Sequence, residues 1–190
     1  AYEAMKRNSK EATMLSRHIG KDWRLNELDK VYLEKGFYPA KPSDQPEWVK
    51  EVGFGRQSVA LTLENCYDDW CMSILAKELG KEDDYKYYLN RAYNYRNVFD
   101  TKSGFMRPKT ADGKWIEPFD PIWSGGQGGR DFYTENNGWN YTWYVLHDPQ
   151  GLINLMGGQE PFVAKLQQMF ETNVPLYKKY DFLKQYPDMT

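Results

Sequence analysis

The stretch QSVALTLENCYDDWCMSILAKELG, residues 57–80, decides how the rest of the chain is read. Val59, Leu63, Cys66, Tyr67, Trp70, Ile74 and Leu75 recur at three- and four-residue intervals, the broad apolar stripe of a helix over 57–79. Gly80 supplies its stop. The following run, 82–98, repeats the pattern through Tyr85, Tyr88, Leu89, Ala92 and either Tyr95 or Val98. Two helices joined by so short a turn lie antiparallel, so the building unit is a helical hairpin.

Working outward, residues 2–19 have helix-forming composition ended by Gly20, and Leu28, Val31 and Tyr32 mark a helix over 26–35 stopped by Gly36. Residues 36–55 carry Pro39, Pro42 and Pro46 and read as an ordered loop. Downstream, 104–120 reads as two short strands around Asp112-Gly113, followed by the glycine-rich run SGGQGGRD at 124–131. Helical pattern resumes over 135–146. Asp148-Pro149 then reads as an N-cap and first-turn proline opening a helix to Met156, and 160–172 forms the last helix. The tail, 174–190, has weak pattern. About seven helices in hairpins build an open solenoid or a closed α/α barrel, and a six-hairpin barrel takes about twelve helices of roughly 11–12 residues each. The expected fold is therefore all-α: helical hairpins forming part of an (α/α)6 barrel, residues 1–190 making a single incomplete domain, with a short β-hairpin insertion near 104–120.

Composition sets bounds on function. Of 190 residues, 41% are hydrophobic and 16% aromatic, so an aromatic-heavy core is expected. The 25 basic and 27 acidic residues are interspersed, which leaves no electrostatic footprint for nucleic acid. No run approaches 18 apolar residues, which excludes a membrane-spanning helix by sequence. Cys66 and Cys71, five apart on one helix, point about 140° apart and are not expected to bridge.

Four clusters could carry chemistry. Glu64, Asp68 and Asp69 lie within one helix but lack the turn glycine and alternating oxygens of a calcium loop, and pairing with Arg56 or Arg107 explains them as well. Glu135, after Thr134 and before Trp139 and Trp143, reads either as a first-turn carboxylate or as a proton donor beside an aromatic sugar platform. A helix N-terminus holds a carboxyl ionised, so the second reading needs desolvation to offset the first. His147 sits beside an N-cap with no second histidine near, which gives zinc little support. The glycines at 125–129 lack the lysine and hydroxyl of a phosphate loop.

Several of these segments together resemble glycoside hydrolase family 92. They are Ser58-Val59 through Thr62-Leu63-Glu64 to Tyr67-Asp68-Asp69-Trp70; Gly104-Phe105-Met106-Arg107-Pro108; Glu117-Pro118-Phe119-Asp120-Pro121; Thr134-Glu135 with Trp139; and His147-Asp148 with Gln150-Gly151-Leu152-Ile153-Asn154. They stand in the family's order and cover most of 57–158. The resemblance implies a secreted or periplasmic, calcium-dependent, inverting exo-α-mannosidase acting on mannose-containing glycans, α-1,2 linkages among them. It implies a β-sandwich before an (α/α)6 barrel, with the sandwich and the remaining barrel helices outside this chain. It carries Glu135 over as general acid and leaves Trp139 as a sugar-facing ring. The general base and the calcium ligands fall outside these residues, so no metal ligand is assigned here and the isolated chain is expected to be inactive. Asn136 stands where the family pattern has glycine. A non-catalytic glycan-binding helical domain is the alternative.

Overall fold

The structure, a computed structural model, describes residues 1–12, 27–42, 44–45, 47–49, 54–122 and 132–172. The glycine-rich run, the tail, His18 and most of the expected helix beyond residue 11 lie outside the described residues. Among those described are α1 (Tyr2–Glu11), α2 (Glu27–Lys35), α3 (Ser58–Glu78), α4 (Glu82–Ala92), α5 (Gly138–Tyr141), α6 (Pro149–Leu155) and α7 (Gln159–Glu171). Two antiparallel strand pairs accompany them: β1 (Trp48–Val49) with β2 (Phe54–Gly55), and β3 (Phe99–Asp100) with β4 (Phe105–Met106).

The α3–α4 hairpin is the centre of the fold. Gly80, at φ 68°, reverses the chain: its N–H bonds to the Lys77 carbonyl at 3.0 Å and the Lys81 N–H bonds to the Ala76 carbonyl at 2.9 Å. That pair of bonds satisfies two of the carbonyls a helix end leaves open. The buried positions of α3 include Val59, Thr62, Cys66, Asp69, Ser73 and Ala76, a strict three-four repeat. It is not the purely apolar stripe expected, because Thr62, Asp69 and Ser73 are polar and Ile74 is exposed. Each polar member has its partner, as burial demands. The Thr62 hydroxyl donates to the Ser58 carbonyl and accepts from the Tyr38 N–H, and the Ser73 hydroxyl donates to the Trp70 carbonyl. Asp69 accepts from Arg91 on α4.

Two apolar clusters flank this hairpin. The larger gathers Val59, Leu63, Cys66, Tyr95, Val98, Met106, Tyr133, Val145 and Leu152; the smaller seats Tyr2 of α1 against Met72, Ala76 and Tyr88. Beyond α4 the helical run tightens to a 3-10 turn, Tyr93–Asn97, before β3. The strand pair β3–β4, Phe99–Met106, leads directly into the expected hairpin region 104–120. Around Asp112-Gly113 the chain turns back as expected, with the Thr110 N–H on the Lys114 carbonyl, an antiparallel bridge between Lys109 and Trp115, and the Ile116 N–H on the Pro108 carbonyl at 3.1 Å. Buried Arg107 joins the two turns. It bonds Asp100 at 2.8 Å, Glu117 at 2.6 Å and the Ile116 carbonyl at 2.9 Å, tying both turns to one guanidinium. Cys66 and Cys71 are both free, and no helix among the described residues is long and apolar enough to cross a membrane.

Candidate active site

The segment 132–142 is held from three sides before any question of chemistry arises. The Phe132 carbonyl accepts from the N–H groups of Val59 and Ala60 at 3.1 and 3.2 Å, closing the open N-terminus of α3. Fully buried Tyr133 donates its hydroxyl to the Met106 carbonyl at 2.7 Å, while the Met106 N–H bonds the Thr142 hydroxyl at 3.1 Å. Both backbone groups of one β4 residue thus grip this segment. The Gly138 N–H reaches the Pro121 carbonyl at 2.9 Å, and a Cβ there would stand 3.0 Å from the Tyr133 hydroxyl oxygen.

Glu135 lies on that pinned segment, exposed and outside any helix. The expected helix from 135 to 146 shortens to α5, because Asn137 takes the cap: its side chain accepts from the N–H groups of Trp139 and Asn140. The carboxylate is therefore not a first-turn residue. Its backbone sits at φ 52°, one of two non-glycine residues with positive φ among those described, the other being Gln57 at φ 51°. Such conformations cost roughly 1–3 kcal/mol and collect at functional sites.

The surroundings of Glu135 are phenolic and acidic. The Tyr141 hydroxyl donates to the Thr134 carbonyl at 3.3 Å. Burial raises the Tyr141 pKa, and the negative charges of Glu64 and Glu135 add to the rise. Tyr144 is raised by burial and then by Glu64. Burial raises the Asp68 carboxyl as well. Tyr141 thus feels the charge of Glu64 on α3 as well as that of Glu135. Trp139 is half-buried, its ring edge-on to Phe105 at 4.8 Å with the Lys165 Nζ 4.6 Å from its centroid.

The other candidates are drawn into structure. Asp69 pairs with Arg91 rather than with Arg56 or Arg107, and burial pushes its carboxyl up to about 6 against the pull of Arg91 and Tyr32. Arg56 donates to the Pro39 carbonyl and Arg107 is taken by Asp100 and Glu117. His147 bonds the Ala92 carbonyl through Nε2 at 2.8 Å, inside a ring of Tyr67, Trp70 and Tyr95. Among the described residues no group of three His, Cys, Asp or Glu side chains could hold a metal ion. The part of Gln57 was invisible in sequence: its side chain accepts from Thr134, 77 residues away, and no local signal announces that pairing.

Known proteins bear on this arrangement. Residues 1–188 match the model of the glycosyl hydrolase family 92 catalytic domain. A protein of Arthroderma benhamiae described as an uncharacterized secreted glycosidase is 31% identical over 161 residues, 73% of this chain and 20% of its own length. The family GH92 α-mannosidase BT3965 from Bacteroides thetaiotaomicron, solved with mannoimidazole, is 36% identical with a TM-score of 0.73, over 92% of this chain and 20% of that one. The family GH92 inverting mannosidase BT2199 from the same organism is 33% identical with a TM-score of 0.70, over 94% and 21%. This chain thus spans about a fifth of the length of these relatives. Its mostly helical fold, with small antiparallel strand pairs, matches these family neighbours. The chain belongs to glycosyl hydrolase family 92, within whose catalytic domain its residues fall.

Proposed function

We propose that these residues are the acid-bearing part of a longer exo-α-mannosidase, with Glu135 as the proton donor. The observation that carries the reading is Glu135 itself: an exposed carboxyl group, in left-handed backbone, on a segment pinned to α3 and β4. A solvent-reachable acid on a rigid support is what glycoside hydrolysis requires.

In the proposed reaction the Glu135 carboxyl gives its proton to the glycosidic oxygen as the C1–oxygen bond breaks. Water attacks C1 from the opposite face and loses a proton to a second carboxylate, about 6.5–9.5 Å from the first in an inverting enzyme. The product is β-mannose. That base, and the calcium on which we propose the enzyme depends, are assigned to parts of the protein outside this chain. Mannose-containing glycans as substrate are supported by the mannosidase relatives, and action outside the cytoplasm by the secreted glycosidase; α-1,2 linkages and N-glycans are part of the proposal itself. Trp139 enters with a smaller share: Lys165 and Phe105 occupy part of its ring, and the remainder of the half-buried indole meets sugar. The isolated chain, without a base, is expected to be inactive.

The test follows hydrolysis of α-1,2-mannobiose by the full-length enzyme with NMR, in calcium and in chelator. The expected result is release of β-mannose first, loss of turnover with chelator, and a fall of at least about a hundredfold in kcat for Glu135→Gln. Retained turnover in Glu135→Gln overturns the assignment of the acid. Mannobiose binding with no hydrolysis by the wild-type enzyme favours the glycan-binding alternative instead.

A further inference from the structure

The N-terminus of α3 is built in an uncommon way. Gln57 occupies the cap position, where Ser, Thr, Asp or Asn would accept from the first free N–H groups. Its side chain makes no capping bond, and its backbone sits in the left-handed region at φ 51°, ψ 44°. The capping work is done from elsewhere, by the Phe132 carbonyl on Val59 and Ala60. What the Gln57 side chain does instead is accept the Thr134 hydroxyl proton at its Oε1, at 2.9 Å. Thr134 is the residue directly before Glu135, and its carbonyl is in turn held by Tyr141.

Two left-handed residues, 78 positions apart, are thereby joined through one hydroxyl. Each has a backbone form that an ordinary residue leaves when unconstrained. A plain helix cap needs neither the left-handed Gln57 nor the bond to Thr134. A carboxyl group whose direction must be set within a fraction of an ångström needs both, because the loop carrying it has no helix or strand of its own.

We propose that Gln57 is a positioning residue for the reaction: by holding the Thr134 hydroxyl, it sets the direction in which Glu135 presents its carboxyl group to the leaving oxygen. The proposal rests on Glu135 being the acid. Gln57 touches no reacting atom; it acts through Thr134. Its removal should therefore slow the step in which the proton is delivered while leaving sugar binding in place.

The test uses the full-length enzyme and two classes of α-mannoside, an activated aryl mannoside whose leaving group departs without a proton and a mannobioside whose leaving group needs one. Glu135→Gln is measured first. If it is the acid, that variant loses at least about a hundredfold in kcat on the mannobioside and much less on the aryl mannoside. Gln57→Gly keeps the left-handed backbone and removes the amide; Thr134→Val removes the hydroxyl and keeps the shape. Each is expected to lower kcat on the mannobioside about tenfold, with KM within about twofold and the aryl mannoside nearly untouched. The double variant should be no worse than either alone, since both remove the same bond. Thr134→Ser should restore most of what Thr134→Val loses.

Unchanged mannobioside kcat in both single variants overturns the proposal while leaving Glu135 as the acid. So do equal losses on both substrates, which mark a general loss of structure, and losses that multiply in the double variant. Should Gln57→Gly fail to fold, Thr134→Val decides alone by the same criteria. A Glu135→Gln variant that shows no dependence on the leaving group overturns the acid assignment and this proposal with it.

Discussion

Asp69 and Arg91 meet across the α3–α4 hairpin, Oδ2 to Nε at 2.8 Å, with the two side chains only 3% and 11% exposed. Tyr32 of α2 adds its hydroxyl to the same carboxylate oxygen at 3.3 Å, and Tyr87 holds another guanidinium nitrogen at 2.8 Å. Three helices converge on one ion pair, so its loss should be felt widely. Replacing Asp69 with Asn strands a buried guanidinium and is expected to cost about 3–5 kcal/mol in a urea titration. Replacing both partners with packed apolar residues, Asp69→Leu with Arg91→Met, should recover much of that loss. A cost under about 1 kcal/mol for Asp69→Asn would show that the pair is not what joins these helices.

His147 makes stability depend on pH. Burial lowers its pKa, against the Ala92 carbonyl and the Asp148 charge, both of which favour the proton. The unfolded chain takes up that proton near pH 6.5 and the folded one only at lower pH, so the unfolded state binds more protons between the two values. The stability contributed is full above about pH 6.5 and is lost as pH falls below it. The Tm of the wild type should therefore fall between pH 7 and 5 more steeply than that of His147→Phe, which keeps the aromatic packing with Tyr67, Trp70 and Tyr95. Parallel curves would remove His147 as the cause.

Gly151 has no room for a side chain. Asp148 caps α6 by accepting the Gly151 N–H at 2.9 Å and also accepts the Tyr95 hydroxyl at 2.7 Å. A Cβ on residue 151 would overlap both the Asp148 carboxylate and the Tyr95 oxygen. Gly151→Ala is expected to destabilise by about 1–3 kcal/mol despite the better helix propensity of alanine, measured as a lowered urea midpoint. A neutral or stabilising result would mean that the cap can shift without loss.

Lys165 links α7 to the site by charge over aromatic rings, its Nζ 3.5 Å from the Phe105 centroid and 4.6 Å from that of Trp139, and it also donates to the Ser103 carbonyl. Lys165→Met should cost about 1 kcal/mol through the lost cation–π contacts. Trp139→Phe should raise the KM for mannobiose a few-fold if the indole meets sugar. An unchanged KM would assign Trp139 to packing alone.

Much of the fold follows from local pattern. The α3–α4 hairpin, the Asp148-Pro149 start of α6 and the extent of α7 are all readable, because apolar spacing, caps and glycine stops act over a few residues. Reading went astray where a distant partner outweighs local preference. Polar Thr62, Asp69 and Ser73 line the buried face of α3 because Tyr38, Arg91 and the helix's own carbonyls satisfy them. The strand pair at Phe99–Met106 is not read from local pattern, and buried Arg107 ties it to the expected turn at Asp112-Gly113 by gathering Asp100 and Glu117.

The same division runs through the candidate site. Sequence by itself determined the helical class and the family, since motif order and residue type are properties of the chain. Only the tertiary structure decided that Glu135 stands outside its helix in left-handed backbone, and that Thr134 is clasped by Gln57. It also showed Asp69 to be held by Arg91. These are hydrogen bonds and ion pairs between residues 22 to 77 positions apart. Local propensity carries no record of such partners; they exist once packing has removed water and left each buried polar group one place to turn.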